Sequence, residues 1–452
     1  MARKKTLPLI EDFDNIPAEA LVPKDEQPYQ IPEHWKWVRL GKIARFQGGG
    51  TPDKSNPAYW NGDIPWASVK DLTAPSIVST QDHISEEGLS NSSAELCVPG
   101  DLLLATRIDP GRAAIASTAI SINQDLKIVR SRLASNTYLR NWFTSIPDWF
   151  SQSASGTTVK GVTINKLNAM PLPLPPLEEQ QRIVEYIKQT SAKIDDVVQR
   201  LEQYLNEAPN RSIKLIQHGV SGELTKSWRQ ERGCPIDEWE SLTLGDAFKW
   251  SSGGTPSRKR PEYYKGTIPW IKSGELTDAR ISDSEEHITE DAVANSSAKL
   301  FPPNSVLIAM YGATIGRIGI LDRPAATNQA IACAFPSNDT IPEFLALFLR
   351  AKKRDFIKLG KGGAQPNISQ TVIKAFPFRR PSKEEQELIV ETVWNGLAKI
   401  EASVELTQRT IDRLTKVREH TILAALSGML SSRQCGYQHP PLNLLTQNPD
   451  TF

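Results

Sequence analysis

Apolar residues recur at spacings of three, four and seven along two stretches of the chain, residues 178–208 and 384–426. The first stripe runs through Ile183, Ile187, Ile194, Val198, Leu201 and Leu205, and the second through Ile389, Val393, Ile400, Val404, Thr407 and Ile411. This spacing lines one side of an α-helix, and the Glu, Gln and Lys between fill the rest of its surface. Pro209 falls in the path of the first helix and predicts a kink or a break there. Two long amphipathic helices in one chain most simply bury their stripes against each other as an antiparallel pair; the other option is that each packs on its own domain. Elsewhere the periods are shorter. VPGDLLLAT (98–106) and NSVLIAMYG (304–312) are brief apolar runs behind turn residues and predict strands. Ser85 and Thr289, each followed by acids, predict helix N-caps, and the Ile-Pro strings at 146 and 341 predict helix starts. Strand and helix signals without regular alternation indicate an α+β fold.

The pattern occurs twice. At a constant offset of 204, residues 34–72 and 238–276 are identical at 14 of 39 positions. The shared set includes Trp35/Trp239, Leu40-Gly41/Leu244-Gly245, Gly49-Gly50-Thr51-Pro52/Gly253-Gly254-Thr255-Pro256, Tyr59/Tyr263 and Ile64-Pro65-Trp66/Ile268-Pro269-Trp270. The register continues through His83/His287 and the string Asn-Ser-Ser-Ala at 91 and 295. After one inserted residue it holds Gly111-Arg112/Gly316-Arg317 and Asn123-Gln124/Asn328-Gln329. After a second it holds from Glu179-Gln180/Glu385-Gln386 to Ser221-Gly222/Ser427-Gly428. Residues 178–220 and 384–426 align without a gap, 43 positions each. An insertion there would rotate a packed stripe by about 100° per residue, so the gap-free register is that of a helix packed along its length, ~65 Å long at 1.5 Å per residue. The chain is therefore a duplication with pseudo-two-fold symmetry: two similar globular domains and two long helices.

The segments follow from the repeat: an N-terminal arm at 1–30 that looks loosely structured, a first domain at 31–177, a central helix at 178–222 and a linker at 223–237. A second domain at 238–383, a distal helix at 384–428 and an irregular tail at 429–452 complete the chain.

Composition narrows the class without deciding it. Lys and Arg number 53 against 52 Asp and Glu, a net charge of +1, so any nucleic-acid affinity must come from local placement of charge. No apolar run approaches the roughly 18 residues that span a bilayer, and no apolar core follows Lys4 and Lys5, so neither a membrane segment nor a signal peptide is expected. Cys97, Cys234, Cys333 and Cys435 lie far apart, which fits a reducing, cytoplasmic setting and neither zinc nor a disulfide framework.

Several strings carry a family resemblance: Pro32 to Gly41 (Pro-x-x-Trp with Leu-Gly following, repeated at Ile236 to Gly245), Gly-Gly-Thr-Pro, Ile-Pro-Trp, and PLPPLEEQQRIV at 173–184. On these the chain resembles the specificity subunit of Type I restriction-modification systems over roughly residues 30–430. The second copy departs from the pattern with FRRPSKEEQ at 378–386 where the family shows the Pro-Leu-Pro-Pro string. The resemblance implies a non-catalytic subunit without a cofactor, whose two target-recognition domains each read one half of a split sequence in double-stranded DNA. It implies helices that act as a ruler and bind two methyltransferase subunits, with motor-nuclease subunits joining for cleavage.

Two strings mimic enzyme motifs. Phe46 to Gly50 fits F-x-G-x-G, and Asn56-Pro57-Ala58-Tyr59 is close to the N-P-P-Y loop of amino-group DNA methyltransferases. They lie too close together to follow different strands of a doubly wound domain, and the second copy keeps only Gly-Gly-Thr-Pro and Pro-x-Tyr, which read as turn chemistry and an aromatic anchor. There is no Walker A string, and the six histidines form no metal-binding cluster. What remains suits DNA. Arg107 and Arg112 flank the turn TRIDPGR, and Tyr311 and Arg317 bound the matching YGATIGR. Thr157 and Lys160 in one Gly-rich loop, and Lys361 and Gln365 in the other, precede the two helices. Arg258 and Lys259 lead a basic-aromatic cluster with Arg260, Tyr263, Tyr264 and Lys265, and Lys70 and Lys272 complete the candidate DNA-binding set. Two other readings stay open: a stand-alone DNA adenine methyltransferase, and a coiled-coil scaffold that does not read DNA.

Overall fold

The computed structural model describes residues 9–156, 159–359 and 367–429. The chain forms two compact units, one of residues up to Arg200 together with those from Thr410 onward, the other of Leu201–Arg409.

In the first unit a five-stranded sheet has the order Ala44–Gly48, Leu126–Ser131, Leu102–Ala105, Ala113–Ala116, Ser76–Ile77, antiparallel except for the last pair. A four-stranded sheet, Asp82–Ile84, Ile64–Ala67, Ile120–Ile122, Glu95–Cys97, faces it. The strand Leu102–Ala105 is buried on both faces. Leu102 and Leu104 join Tyr138, Leu139, Trp142 and Phe143 of the helix Asn136–Ser145 in one cluster, while Leu103 and Ala105 join Ile120 and Ile122 of the other sheet in a second. A strand sandwiched in this way has no polar side, which is why it reads as a continuous apolar run.

The second unit repeats the design. Trp250–Ser252, Ile331–Ala334, Val306–Ala309, Ile318–Leu321 and Ala279–Ile281 form the five-stranded sheet, and His287–Ile288, Ile268–Ile271, Ala325–Thr327 and Leu300–Phe301 the four-stranded one. Val306 and Ile308 face the helix Pro342–Ala351, and Leu307 and Ala309 face the opposite cluster. The fold is α+β, as the strand and helix signals predict. Ser85 and Thr289 cap their helices, each accepting from the backbone N–H three residues on, at 3.1 Å.

The long helices are Leu177–Val220 and Lys383–Leu426. Each starts from a strand paired with the head of its domain, Pro171–Leu174 on Lys36–Arg39 and Pro377–Arg380 on Glu240–Thr243. A buried glutamine then fixes the helix. Gln180 Nε2 donates to the carbonyls of Leu133 (2.8 Å) and Pro175 (2.9 Å), and its Oε1 accepts from Ser135 N–H at 2.8 Å. Gln386 donates to Asp339 and Pro381 and accepts from Ile341 N–H, all at 2.9 Å. The FRRPSKEEQ string thus enters its helix as PLPPLEEQ does, because the contacts use backbone carbonyls and the shared Gln.

The helices run antiparallel within each unit. In the second unit Tyr204 Oη meets Ser403 Oγ at 2.5 Å, Leu215 lies against Gly396, and Gly219 against Val393 and Ile389. In the first, Arg418 pairs with Asp195 at 2.7 Å, and Ile183 and Ile187 share a cluster with Ala425 and Leu426. The helix ends match as well. Gly222 (φ +78°) and Gly428 (φ +80°) adopt the left-handed conformation, and the next N–H bonds back five residues, Glu223 to His218 and Met429 to Ala424, both at 3.0 Å. A Cβ on Gly222 would strike Trp239 and Ile236, and one on Gly428 would strike Pro32 and Trp35, the matching positions of the other copy.

Two expectations need correction, a break at Pro209 and a loose arm at 9–30, and the linker gains a structure. Pro209 does not interrupt the central helix, which is continuous through it. Beside the carbonyl of Leu205, which Pro209 cannot bond, Arg211 donates to the Tyr204 carbonyl at 2.9 Å and stacks on the Tyr204 ring. Residues 9–30 are not loose. Ile16, Ala20 and Val22 are buried, Val22 N–H bonds the Trp37 carbonyl, and Lys36 Nζ bonds that of Phe13 at 2.5 Å. The segment 223–237 holds a helix, Lys226–Arg232, whose Arg229 is buried against Glu385 at 2.5 Å, with Thr225 and the Trp239 indole N–H on the same carboxylate. Both charges are buried, and each has several hydrogen-bond partners. The tail expected at 429–452 lies outside the described residues apart from Met429.

Replacing Gln180 by Leu leaves Leu133 O, Pro175 O and Ser135 N–H without that partner. We expect a loss of at least ~2 kcal/mol, at ~1–3 kcal/mol per orphaned buried group. Calorimetric unfolding would show it as a lower transition, and an unchanged profile would refute the clamp.

Candidate nucleic-acid interface

Four loops meet at one end of the first five-stranded sheet, and the described parts of their counterparts meet at the same end of the second. The first follows the strand Leu102–Ala105. Its Thr106 N–H bonds the Asp125 carbonyl at 2.9 Å, Val162 N–H bonds the Thr106 carbonyl at 2.8 Å, and Ile108 N–H bonds the Lys160 carbonyl at 3.0 Å. TRIDPGR, the Gly-rich loop before the helix and the Asn-Gln turn are thereby tied together, and Arg107, Arg112 and Lys160 come from neighbouring strands of backbone. The second copy keeps the scheme: Met310 N–H bonds Ala330, Ile368 N–H bonds Met310, and Tyr311 bridges to Asn367. Thr157, Lys361 and Gln365 lie outside the described residues.

The Asn-Gln turn is built alike in both copies. Asn123 Oδ1 accepts from Asp125 N–H at 3.0 Å, and Asn328 Oδ1 from Ala330 N–H at 3.2 Å. These Asx turns put Gln124 and Gln329 at exposed tips. There each Oε1 accepts from the threonine of the Gly-Gly-Thr-Pro motif, Thr51 or Thr255. The glycines of that motif allow this closeness. A Cβ on Gly49 would lie 2.1 Å from the Ile122 carbonyl oxygen, and one on Gly253 would lie 2.0 Å from that of Thr327. Gly50 N–H and Gly254 N–H bond those same carbonyls, while the Trp66 and Trp270 indoles donate back to Gly50 and Gly254. The motif is therefore held by close backbone approach rather than by a left-handed turn, and Gly-Gly-Thr-Pro, Ile-Pro-Trp and Asn-Gln are one structural unit.

This accounts for the methyltransferase-like strings. Phe46 to Gly48 is strand, Gly49 and Gly50 are packing glycines, and Asn56 Oδ1 caps a 3-10 turn by accepting from Ala58 N–H at 3.1 Å. Among the described residues no group of three or more His, Cys, Asp and Glu is placed to hold a metal ion. His287 pairs with Asp283 at 2.8 Å within its own segment. Among the described residues no helix is long and apolar enough to cross a membrane.

Most of the candidate cations have a carboxylate partner. Arg107 lies 3.1 Å from Asp125, Arg112 3.4 Å from Asp109, and Lys70 2.7 Å from Asp82. Arg258 and Lys272 share Glu286, at 2.6 and 3.2 Å, and the Arg258 hydrogen bond holds that carboxyl below its usual range. Lys259 is exposed beside them. Arg317 reaches the Gly274 carbonyl at 3.4 Å, so its loop adjoins the Lys272 turn. Lys70 sits on the 3-10 turn Val69–Asp71, whose Asp71 accepts from Gln81 N–H at 3.0 Å. The aromatic members of the basic-aromatic cluster are packed: Tyr263 is buried, Tyr264 donates to the Pro256 carbonyl, and Arg258 stacks on Tyr264 and Trp270. Among the described residues the candidate cations thus form no large uncompensated basic patch, in keeping with the net charge of +1. Gln124 and Gln329 were legible in the repeat as a matched pair, but the structure adds their exposure and the threonine that orients each.

The family model described as the Type I restriction modification DNA specificity domain matches residues 32–207 and 236–416. The MjaVIII specificity subunit of a Type I restriction enzyme from Methanocaldococcus jannaschii is 24% identical over 92% of this chain and 97% of its own length. The MjaIX specificity subunit from the same organism is 25% identical over 63% of this chain and 68% of its own. The solved HsdS subunit from Thermoanaerobacter tengcongensis superposes with a TM-score of 0.60 at 18% identity, over 89% of this chain and 99% of its own, and so shares the fold. A chain from a structural study of complex assembly and conformational transition of the Type I system gives 0.63 at 19%, over 89% and 100%.

Gly254→Ala would place a Cβ 2.2 Å from the Ser297 carbonyl oxygen. We expect it to destabilise the second unit by about 3 kcal/mol or more, as overpacking against backbone does, read as a lower melting temperature; an unchanged melt would contradict the packing account.

Proposed function

The chain belongs to the Type I restriction-modification DNA specificity family, and on that premise we propose that each unit reads one half of a split duplex sequence through its cluster of four loops. As a specificity subunit it is the DNA-recognising member of a restriction-modification complex rather than the catalytic one. One observation carries the reading. The two copies share backbone bonds where these loops are described, Thr106 to Asp125 and Val162 to Thr106 in one and Met310 to Ala330 and Ile368 to Met310 in the other, yet present different exposed side chains, Arg107 in one and Tyr311 in the other. A constant frame with variable tips is what two readers of different sequences require.

In this proposal residues 31–177 and 238–383 are the recognition domains, and the two long helices set the unread gap between the half-sites. Arg107, Arg112, Thr157 and Lys160 act in the first domain, and Tyr311, Arg317, Lys361 and Gln365 in the second. Lys70, Arg258, Lys259 and Lys272 contact phosphate from the flanking turns. The oriented amides of Gln124 and Gln329 each present an acceptor and a donor side by side, the pair that matches adenine in the major groove. Two methyltransferase subunits dock on the helices, where Tyr186, Val197, Trp394 and Val417 are exposed. Motor-nuclease subunits join that assembly, and the complex works in the cytoplasm on the cell's own and incoming DNA.

Exchanging residues 31–177 for the corresponding domain of another family member should change one half-site and leave the other and the gap intact. A change in both halves would overturn the assignment of one domain to one half-site. Gln124→Ala should relax one base position in one half-site by ~1–3 kcal/mol of discrimination, and Gln329→Ala one position in the other. DNA selected from a randomised pool by the assembled complex reads out both effects.

A further inference from the structure

Ile108 sits in the left-handed region of backbone space, with φ +69°, and its side chain is 62% exposed. Both facts are unfavourable. A β-branched residue is a poor occupant of that conformation, and an apolar side chain in water adds nothing to the core. The duplication shows what the backbone prefers there. The matching residue of the second copy is Gly312, with φ +63°, at the same point of the same loop. Glycine takes this conformation without strain. The first copy therefore carries an isoleucine where its own twin shows that the fold needs none.

The surroundings hold the strained residue in place. Ile108 N–H bonds the Lys160 carbonyl, Asp109 N–H bonds the Arg107 carbonyl at 2.8 Å, and Arg107 bridges to Gly161. A side chain over-determined in a costly conformation and aimed at solvent marks a functional contact. Its neighbours Arg107, Arg112 and Lys160 are basic, the first two each paired with a carboxylate, Asp125 and Asp109. The only apolar group on a base edge in the major groove is the thymine methyl.

Resting on the reading above that these loops face DNA, we propose that Ile108 is a specificity-determining residue of the first domain, which packs its side chain on a thymine methyl. Gly312 leaves the second domain without this contact. The two copies thus differ in kind at this position: one reads an apolar edge and the other lets the backbone approach.

The test uses the complete complex and synthetic duplexes of its own target sequence. Replacing each thymine of the first half-site in turn by deoxyuridine removes only the methyl. One such replacement should weaken binding by about tenfold, the scale of a single mismatched position, and no replacement in the other half-site should do so through this residue. Ile108→Gly should abolish that sensitivity while melting at the same temperature as the parent or higher. Ile108→Asn, which also tolerates the left-handed conformation, should do the same. The proposal is overturned if every thymine of the first half-site tolerates deoxyuridine, if that half-site has no thymine, or if Ile108→Gly binds with unchanged sensitivity. It is equally overturned if Ile108→Gly lowers the melting temperature and weakens all sequences alike, since the role is then structural. A parent complex that selects no split sequence at all would instead sink the functional reading on which this rests.

Discussion

A buried glutamine amide one turn into each long helix sets the geometry of its unit. Gln180 and Gln386 each join three backbone groups, one from the residue just after the strand that precedes the helix and two from the segment leading into the domain's main helix. An amide with both donors and its acceptor engaged in a dry site tolerates little rotation, because any slip leaves polar groups buried and unpaired. The helix direction is thus tied to the sheet, and the loops at the end of that sheet are tied to the helix. At the far end of each helix a left-handed glycine docks on a tryptophan, Gly222 on Trp239 and Gly428 on Trp35. Residues separated by most of the chain, such as Trp35 and Gly428, are brought into one unit by this arrangement.

Under the proposed function, the charge arrangement within the loops has a consequence for how DNA would be engaged. Arg107, Arg112, Lys70, Arg258 and Lys272 are each matched with a carboxylate. Contact with phosphate must exchange these pairs for new ones, so the gain from neutralising the backbone is partly offset. Non-specific affinity, which comes almost entirely from that electrostatic gain, is held down. In the proposed function, discrimination then depends on side chains that read base edges, for which the exposed, threonine-oriented glutamines are the candidates.

Much of this was legible in the chain itself, for physical reasons. The helices announce themselves because 43 positions without a gap must keep one stripe in phase. The strand Leu102–Ala105 was readable because burial on both faces removes polar residues altogether. Pro209 misled because the helix continues across its missing donor, with Arg211 bonding the adjacent Tyr204 carbonyl. The arm at 9–30 misled because it packs through a few scattered residues with no period. The site was the least legible part. Arg258 meets Glu286 across 28 residues of sequence, and no spacing rule foretells that the leading arginine of the basic cluster is paired with a carboxylate. Ile108 gives no signal in its own copy; only alignment with Gly312 exposes it.

The central claim is that two similar readers on one chain specify one split sequence. It is tested most directly by mapping every methylated adenine in the DNA of a cell that carries this chain with its methyltransferase partner. The account predicts a single motif of two short, different, fixed halves separated by a constant unread gap, with one methylated adenine in each half. Methylation at one contiguous motif, or at sites sharing no sequence, would contradict it.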